Sequence, residues 1–460
     1  MNIHFLIAIT TLSLLPYTAI SEASSEPASD PSLSSKHVES LETLFAQWDR
    51  TEEPGCMVSI IRNRHVVYQR GYGSAQLDYA IPIHSRSVFY AASLSKQFVA
   101  SCIAILATEG KLSLDDTIHK YIPELPPYPH QINIRHLIHH TSGLRDYLTL
   151  MSLSGMRFED IHTTEELLEL ICRQNQLNFT PGEQYLYSNT GYFLLAEIIH
   201  RVSGLSLREF AKKNLFGPLG MTRTFFHDSR DQIIKDRVVS YSRDTNGTYR
   251  LLHYMNWTQV GSGGLMTTAE DMGLWIQNFD DPIFGNPSWK NLMETQGALN
   301  DGSRLSYGFG LQWGTYKGLK TMGHSGSFMG FRHNMLRFPE HGLTILLLAN
   351  VQSFQPTPVA HQIADICLKA PINKQLITCA GSYHSPDLKI SYTIQVRGTD
   401  LYIHTADSAK LLQPAGPLGD YRFNENRLRF RYDATGNPSG FVLDSNRVLH
   451  LLFNKHVPSP

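Results

Sequence analysis

The sequence is poor in cysteine, has no excess charge of either sign, and contains no long apolar run in its interior. Its five cysteines, Cys56, Cys102, Cys172, Cys367 and Cys379, are scattered and odd in number. That spacing argues against a disulfide-stapled scaffold and against a cysteine metal knuckle. Cys56, Cys102 and Cys172 lie in apolar stretches and read as small buried hydrophobes, while a Cys367–Cys379 bridge stays open. Lysine and arginine total 40 against 41 aspartate and glutamate, so there is no basic stripe and no nucleic-acid partner is expected. No segment after the N-terminus reads as a transmembrane helix. No internal repeat is evident, which argues against a solenoid.

The one distinct apolar run is "FLIAITTLSLL" at residues 5–15, followed by the small-residue stretch "YTAISEAS". It is short for a membrane span and reads as an export signal over residues 1–22. Only His4 and the α-amino group can supply positive charge before it, which keeps a retained interfacial anchor as the alternative. Residues 23–36 read as a disordered linker. The first cysteine is Cys56, so the signal end offers no lipid-attachment site. The expectation is an exported protein, periplasmic or secreted, with no stable membrane anchor after signal cleavage.

The remaining length suits two folded units. "HVESLETLFAQWDR" has helical apolar spacing, and "CMVSIIRNRHVVYQRGYG" reads as a hairpin. A buried helix is expected from Ser93 to about Leu112, ended by Gly110. A mostly helical middle follows, in which "FLLAEIIHRVSG" is amphipathic with Gly204 as its cap. Near residue 320 the pattern changes to strands: "KTMGHSGS", "FRHNMLRF" and "LTILLLAN", with "PEHG" as a turn. "VAHQIADICLKA" then returns as a helix. The fold expected for residues 37–370 is α/β of the α+β type: an antiparallel sheet flanked by helices, built from both ends of the domain, with an all-helical region. Residues 371–460 show short alternating runs such as "KISYTIQV" and "VLHLLFN", expected to form a small all-β domain, a barrel or sandwich.

Three short boxes carry chemistry. Ser93 and Lys96 form the only Ser-x-x-Lys in the chain. Positions three apart share a helix face, and a lysine among Phe89, Ala91, Phe98 and Val99 would lose hydration and proton affinity. A neutral amine there can take the serine's proton. The plainer reading is a helix cap beside a solvated lysine. The second box is Tyr187, Ser188 and Asn189, a proton donor or acceptor two residues from an amide able to hold a substrate carbonyl. Tyr254 heads a similar triplet, but Tyr187 lies at an ordered corner before an amphipathic helix. The third box is His324, Ser325 and Gly326 with Ser327, on a glycine-bearing strand that lets another backbone approach and could offer an amide to an oxyanion.

In their order and spacing these boxes resemble those of the penicillin-recognising serine hydrolase superfamily, in its class C β-lactamase-like branch with D,D-carboxypeptidase and esterase relatives. "LIHHTSGLRDY", "TPGEQYLYSNTGYFLLAEII", "GSGGLMTTAEDMGLW" and "GHSGSFMGF" carry further likeness, over roughly residues 40–368. The resemblance implies that Ser93 is acylated, that Lys96 and Tyr187 share acid and base roles, that Asn189 orients the substrate, and that the Ser93 and Ser327 amides bind the oxyanion. It also implies a lipocalin-like C-terminal domain. β-Lactamases usually carry lysine where His324 stands, so peptidase, amidase or esterase action ranks above true β-lactamase action. A penicillin-binding sensor or scaffold with little turnover is the rival of another class. An unperturbed His324, with a pKa of about 6.5, would read a substrate carboxylate better as pH falls. The expected partner is a small-molecule or peptide-like acyl substrate.

No cofactor and no metal are expected. His136, His139 and His140 have helical spacing but no carboxylate or cysteine ligand beside them. "GSGG" at residues 261–264 lacks the lysine of a phosphate loop and reads as a turn near the site. Thr267 with Glu270 reads as a capping box for the helix that follows.

Overall fold

The computed structural model describes residues 32–252, 256–280, 282, 284–368, 378–397, 400–405, 408–414, 419–433 and 435–456. The expected export signal, most of the linker and Tyr254 lie outside these residues.

An eight-stranded antiparallel sheet forms the spine of the first unit. From one edge its strands are Gln296–Ala298, Arg304–Gly308, Gln312–Tyr316, Leu319–Phe328, Phe331–Phe338, Leu343–Ala349, Cys56–Arg62 and His65–Tyr72. The early hairpin therefore joins the late strands, with Cys56 opposite Ala349 and Arg62 opposite Leu343. Its turn places Asn63 and Arg64 at positive φ, as a tight two-residue hairpin requires. Alternation along the Cys56–Arg62 strand sends Met57 and Ile61 to one core and Cys56, Val58 and Ile60 to another. Helices Ser35–Phe45 and Pro356–Cys367 cover the second face; the larger helical region covers the first. Burial on both faces accounts for the nearly continuous apolar run Leu343–Ala349, broken only by Thr344, in which every residue is buried.

The last unit is a closed eight-stranded antiparallel barrel running from Gly381–Ser385 to Val448–Lys455. Tyr383, Phe430, Phe441 and Phe453 fill its interior, and the Tyr383 hydroxyl donates to the Cys379 carbonyl at 2.7 Å. Closure removes the free edges that an open small sheet would expose. The five cysteines are all free thiols, so Cys367 and Cys379 are not bridged.

Two local expectations are corrected. The buried helix begins at Ser95 and ends at Thr108; Ser93 sits before it in a 3₁₀ turn, Ala92–Leu94. The cap of the Ala269–Asp280 helix is Thr268, whose hydroxyl accepts from the Asp271 amide at 3.1 Å. Thr267 belongs to a strand and meets Thr224 instead, because its side chain points across the strand rather than along the helix.

Candidate active site

Ser93 is carried by a strained backbone. The Phe89–Tyr90 strand pairs with Leu265–Thr267, and Ala92 then takes φ of 49°, in the region non-glycine residues avoid. Such a conformation costs about 1–3 kcal/mol and survives only where the surroundings impose it. They do so here. The His333 ring, buried in the sheet, accepts from the Ala349 amide at Nδ1 and donates from Nε2 to the Tyr90 carbonyl at 2.9 Å. The Ser95 hydroxyl donates to the Ala92 carbonyl at 2.6 Å and accepts from the Leu265 amide. The strand bearing His324 also presses on this segment: a Cβ at Gly326 would stand 2.6 Å from the Ala91 carbonyl oxygen. Glycine in the third box is therefore required by a backbone contact.

Lys96 lies one turn on and is wholly buried. Its Nζ is 3.0 Å from Ser93 Oγ, 2.9 Å from Asn189 Oδ1 and 2.7 Å from the Ser262 carbonyl. Burial lowers its pKa from the ordinary 10.5 to about 7, against the opposing pull of the Asp146 carboxylate. Two of its three partners, an amide oxygen and a carbonyl, can only accept hydrogen bonds. When the amine is neutral, its two N–H groups serve those acceptors, and the lone pair is left facing the Ser93 hydroxyl.

Asp146 makes this arrangement unambiguous. One of its oxygens accepts from the Asn189 backbone amide at 2.6 Å and from Asn189 Nδ2 at 3.0 Å. A carboxylate admits only the NH₂ end of the amide, so Oδ1 must face Lys96. The other Asp146 oxygen caps the Tyr147–Leu153 helix through the Thr149 amide.

Tyr187 closes the group. Lys96 Nζ lies 4.8 Å from its ring centroid, and burial pushes the phenol well above its ordinary range, with the Ser93 hydroxyl beside it opposing that shift. The buried His140, at φ of 59°, packs its ring 4.3 Å from that of Tyr187 and accepts from the Ser188 amide. Ser93, Tyr187, Asn189, His324 and Ser327 all line one cleft of about 380 Å³.

A model of the β-lactamase family matches residues 41–367. The chain belongs to the β-lactamase family. It is similar to penicillin-binding protein 4* of Bacillus subtilis (strain 168), with 30% identity over 422 residues, covering 85% of this chain and 90% of that protein. A D-aminopeptidase of Cereibacter sphaeroides (strain ATCC 17023) is 29% identical over 326 residues, covering 70% of this chain and 60% of that protein. The octameric penicillin-binding protein homologue from Pyrococcus abyssi shares the fold, with a TM-score of 0.64 at 24% identity, over 91% of this chain and 99% of that one. The penicillin-recognising resemblance carried by the boxes and the α+β fold expected from the pattern of helices and strands thus hold, and the chain is a serine hydrolase by family.

Within this β-lactamase-family cleft, His324 departs from expectation. Its Nδ1 lies 2.6 Å from the Ser325 carbonyl, which can only accept, so Nδ1 carries the proton. Nε2 then accepts from the Tyr307 hydroxyl at 3.0 Å. Burial and the nearby Lys96 push its pKa down to about 3. The ring is neutral across the physiological range and both nitrogens are engaged, so it is not the pH-dependent carboxylate reader that its ordinary pKa suggests. Of the three histidines with helical spacing, His140 packs on Tyr187 as described, and the other two are also held by neighbouring residues. His136 joins Asn133 in a capping box, and the His139 ring meets Phe309 edge-on.

Asp146, Tyr307 and the Ser262 carbonyl were not among the residues the motifs singled out. Asp146 lies in the quoted "LIHHTSGLRDY" stretch and Ser262 in "GSGG". An aspartate three residues before Thr149 is a helix-cap signal, but nothing local shows that its second oxygen reaches across to Asn189.

Proposed function

We propose that the chain hydrolyses amide or ester substrates through an acyl-enzyme on Ser93. Neutral Lys96 takes the Ser93 proton as Oγ attacks the substrate carbonyl. The Ser93 and Ser327 amides hold the oxyanion. Tyr187, whose raised pKa keeps it protonated, hands a proton to the departing amine or alkoxide and recovers one by way of Lys96. Water then attacks the acyl-enzyme and gives its proton to the same base, which returns it to Ser93 Oγ as the bond to the acyl group breaks and the acid leaves. The observation that carries this reading is the placement of Lys96 Nζ, 3.0 Å from Ser93 Oγ and held by two other partners that can only accept. Asn189 is assigned first to orienting Lys96, with its free amide hydrogen left for a substrate carbonyl.

The substrate proposed is a small amide or peptide-like acyl compound. The D-aminopeptidase relative and penicillin-binding protein 4* support that class, and His324 in place of lysine ranks true β-lactam hydrolysis below it. Residues 1–22 are proposed to export the chain. Residues 37–370 are proposed as the hydrolase unit, with residues 371–460 as an appended barrel domain. No helix among the described residues is long and apolar enough to cross a membrane.

Intact mass after exposure to a fluorophosphonate, and separately to a penicillin, tests the mechanism. One covalent adduct with the fluorophosphonate is expected, lost in Ser93→Ala. A persistent penicillin adduct without ester turnover would favour the sensor reading, and an adduct that survives Ser93→Ala would place the nucleophile elsewhere.

A further inference from the structure

A second groove, of about 630 Å³, opens beside the catalytic cleft. Tyr187 and Asn189 belong to both, so a substrate held at Ser93 can extend into it past Asn189. Three leucines make part of its wall apolar and open to water: Leu153 is 80% exposed, Leu186 is 51% exposed, and Leu150 is half-buried. Leucine side chains left to solvent around a concavity mark a surface suited to cover by a ligand.

The same wall carries a cation. Arg145 is half-buried, and its guanidinium donates to the Gln174 side-chain carbonyl at 3.0 Å, a neutral partner. Among the described residues no carboxylate forms an ion pair with it. The adjacent Asp146 is committed elsewhere: its oxygens serve Asn189 on one side and Thr149 on the other. The remaining guanidinium donors suit a planar anion, which they can bind in pairs. Across the cleft, both His324 nitrogens are occupied, so that side chain offers no competing charge.

We propose that this groove is a substrate subsite that takes an apolar chain and holds its terminal carboxylate on Arg145. The proposal rests on the acyl-enzyme reading and names the substrate class within it. Either end of a substrate could enter the groove, so two ester series are needed. One varies the acyl group and the other the alcohol, each with a neutral, a carboxylate-ended and an ammonium-ended chain of equal length.

In wild type, kcat/KM should favour the carboxylate member of one series. Arg145→Gln should reduce that preference by about 10- to 100-fold, the range for a charge-assisted hydrogen bond, mainly through KM. The neutral esters should react as before, because Arg145 touches neither Ser93 nor Lys96. Arg145→Lys should keep part of the preference and serves as the second variant if Arg145→Gln folds poorly. The proposal is overturned if neither series prefers the carboxylate, or if the preference survives in Arg145→Gln. A preference for the ammonium would also overturn it and assign the charge reading to Asp146. Fluorophosphonate labelling of Ser93 separates the two levels. Labelled enzyme without carboxylate preference removes the subsite alone, whereas wild type that neither labels nor turns over any ester removes the acyl-enzyme reading and the subsite with it.

Discussion

Lys96→Met separates the energetic cost of the proposed base from everything else that the substitution disturbs. Folded Lys96 has a pKa of about 7, against 10.5 for an ordinary lysine. Below pH 7 both the folded and unfolded chains hold the proton, and the penalty of a buried charge is present in full. Between pH 7 and 10.5 the folded chain has released a proton that the unfolded chain keeps, so stability rises with pH. At 1.36 kcal/mol per unit, and with half the sites already neutral at pH 7, the gain from pH 7 to 9 is about 2 kcal/mol. The methionine variant lacks this gain. It also leaves Asn189 Oδ1 and the Ser262 carbonyl without their donor, but that loss is the same at both pH values and cancels in the comparison. Urea titration followed by tryptophan fluorescence reports on the right unit, since Trp48, Trp257, Trp275, Trp289 and Trp313 all precede the barrel. The stability of wild type relative to Lys96→Met should therefore increase by about 2 kcal/mol between pH 7 and 9. A difference that stays constant within the extrapolation error of such titrations would show that folded Lys96 keeps its proton, and the lone-pair argument for Ser93 activation would fail.

Asp146→Asn removes the one charge that holds the Lys96 pKa up, so the acid limb of kcat/KM for an activated ester should move below about pH 7; an unmoved limb would deny the carboxylate any electrostatic hold on Lys96. His324, pushed down to about 3, should not titrate near neutrality, so the rate ratio between carboxylated and neutral esters should stay flat from about pH 6 to 8, the span of an ordinary histidine. A ratio that climbs toward pH 6 would return His324 to the role of charge reader. Lys96→Ala and Tyr187→Phe should each slow acylation by about 10²–10⁴-fold, with the double variant little worse than the slower single one, because both serve one proton path. Fully multiplicative losses, measured by burst kinetics, would make them independent. A chain ending at Ala370 should still label at Ser93, because every site residue precedes it; a folded truncation that does not label would make the barrel part of the site.

Local spacing in the sequence was enough to pair Ser93 with Lys96, because residues three apart meet on one turn whatever surrounds them. Alternation and turn residues likewise marked the hairpin of Cys56–Arg62 with His65–Tyr72, the late strands and the β-rich tail, since period and turn chemistry are properties of short segments. Tertiary structure decided what those residues can do. The closure of the tail into a barrel depends on pairing between its first and last strands, which no local pattern encodes. The amide of Asn189 is oriented by Asp146, 43 residues earlier, and the Lys96 amine by a carbonyl 166 residues later. His324 illustrates the difference most directly. The residue type implies a titration near neutrality, but the Ser325 carbonyl, Tyr307, burial and Lys96 determine that the ring stays neutral. Proton affinity is set by solvation and neighbouring charge in three dimensions, and those are known only once the chain has folded.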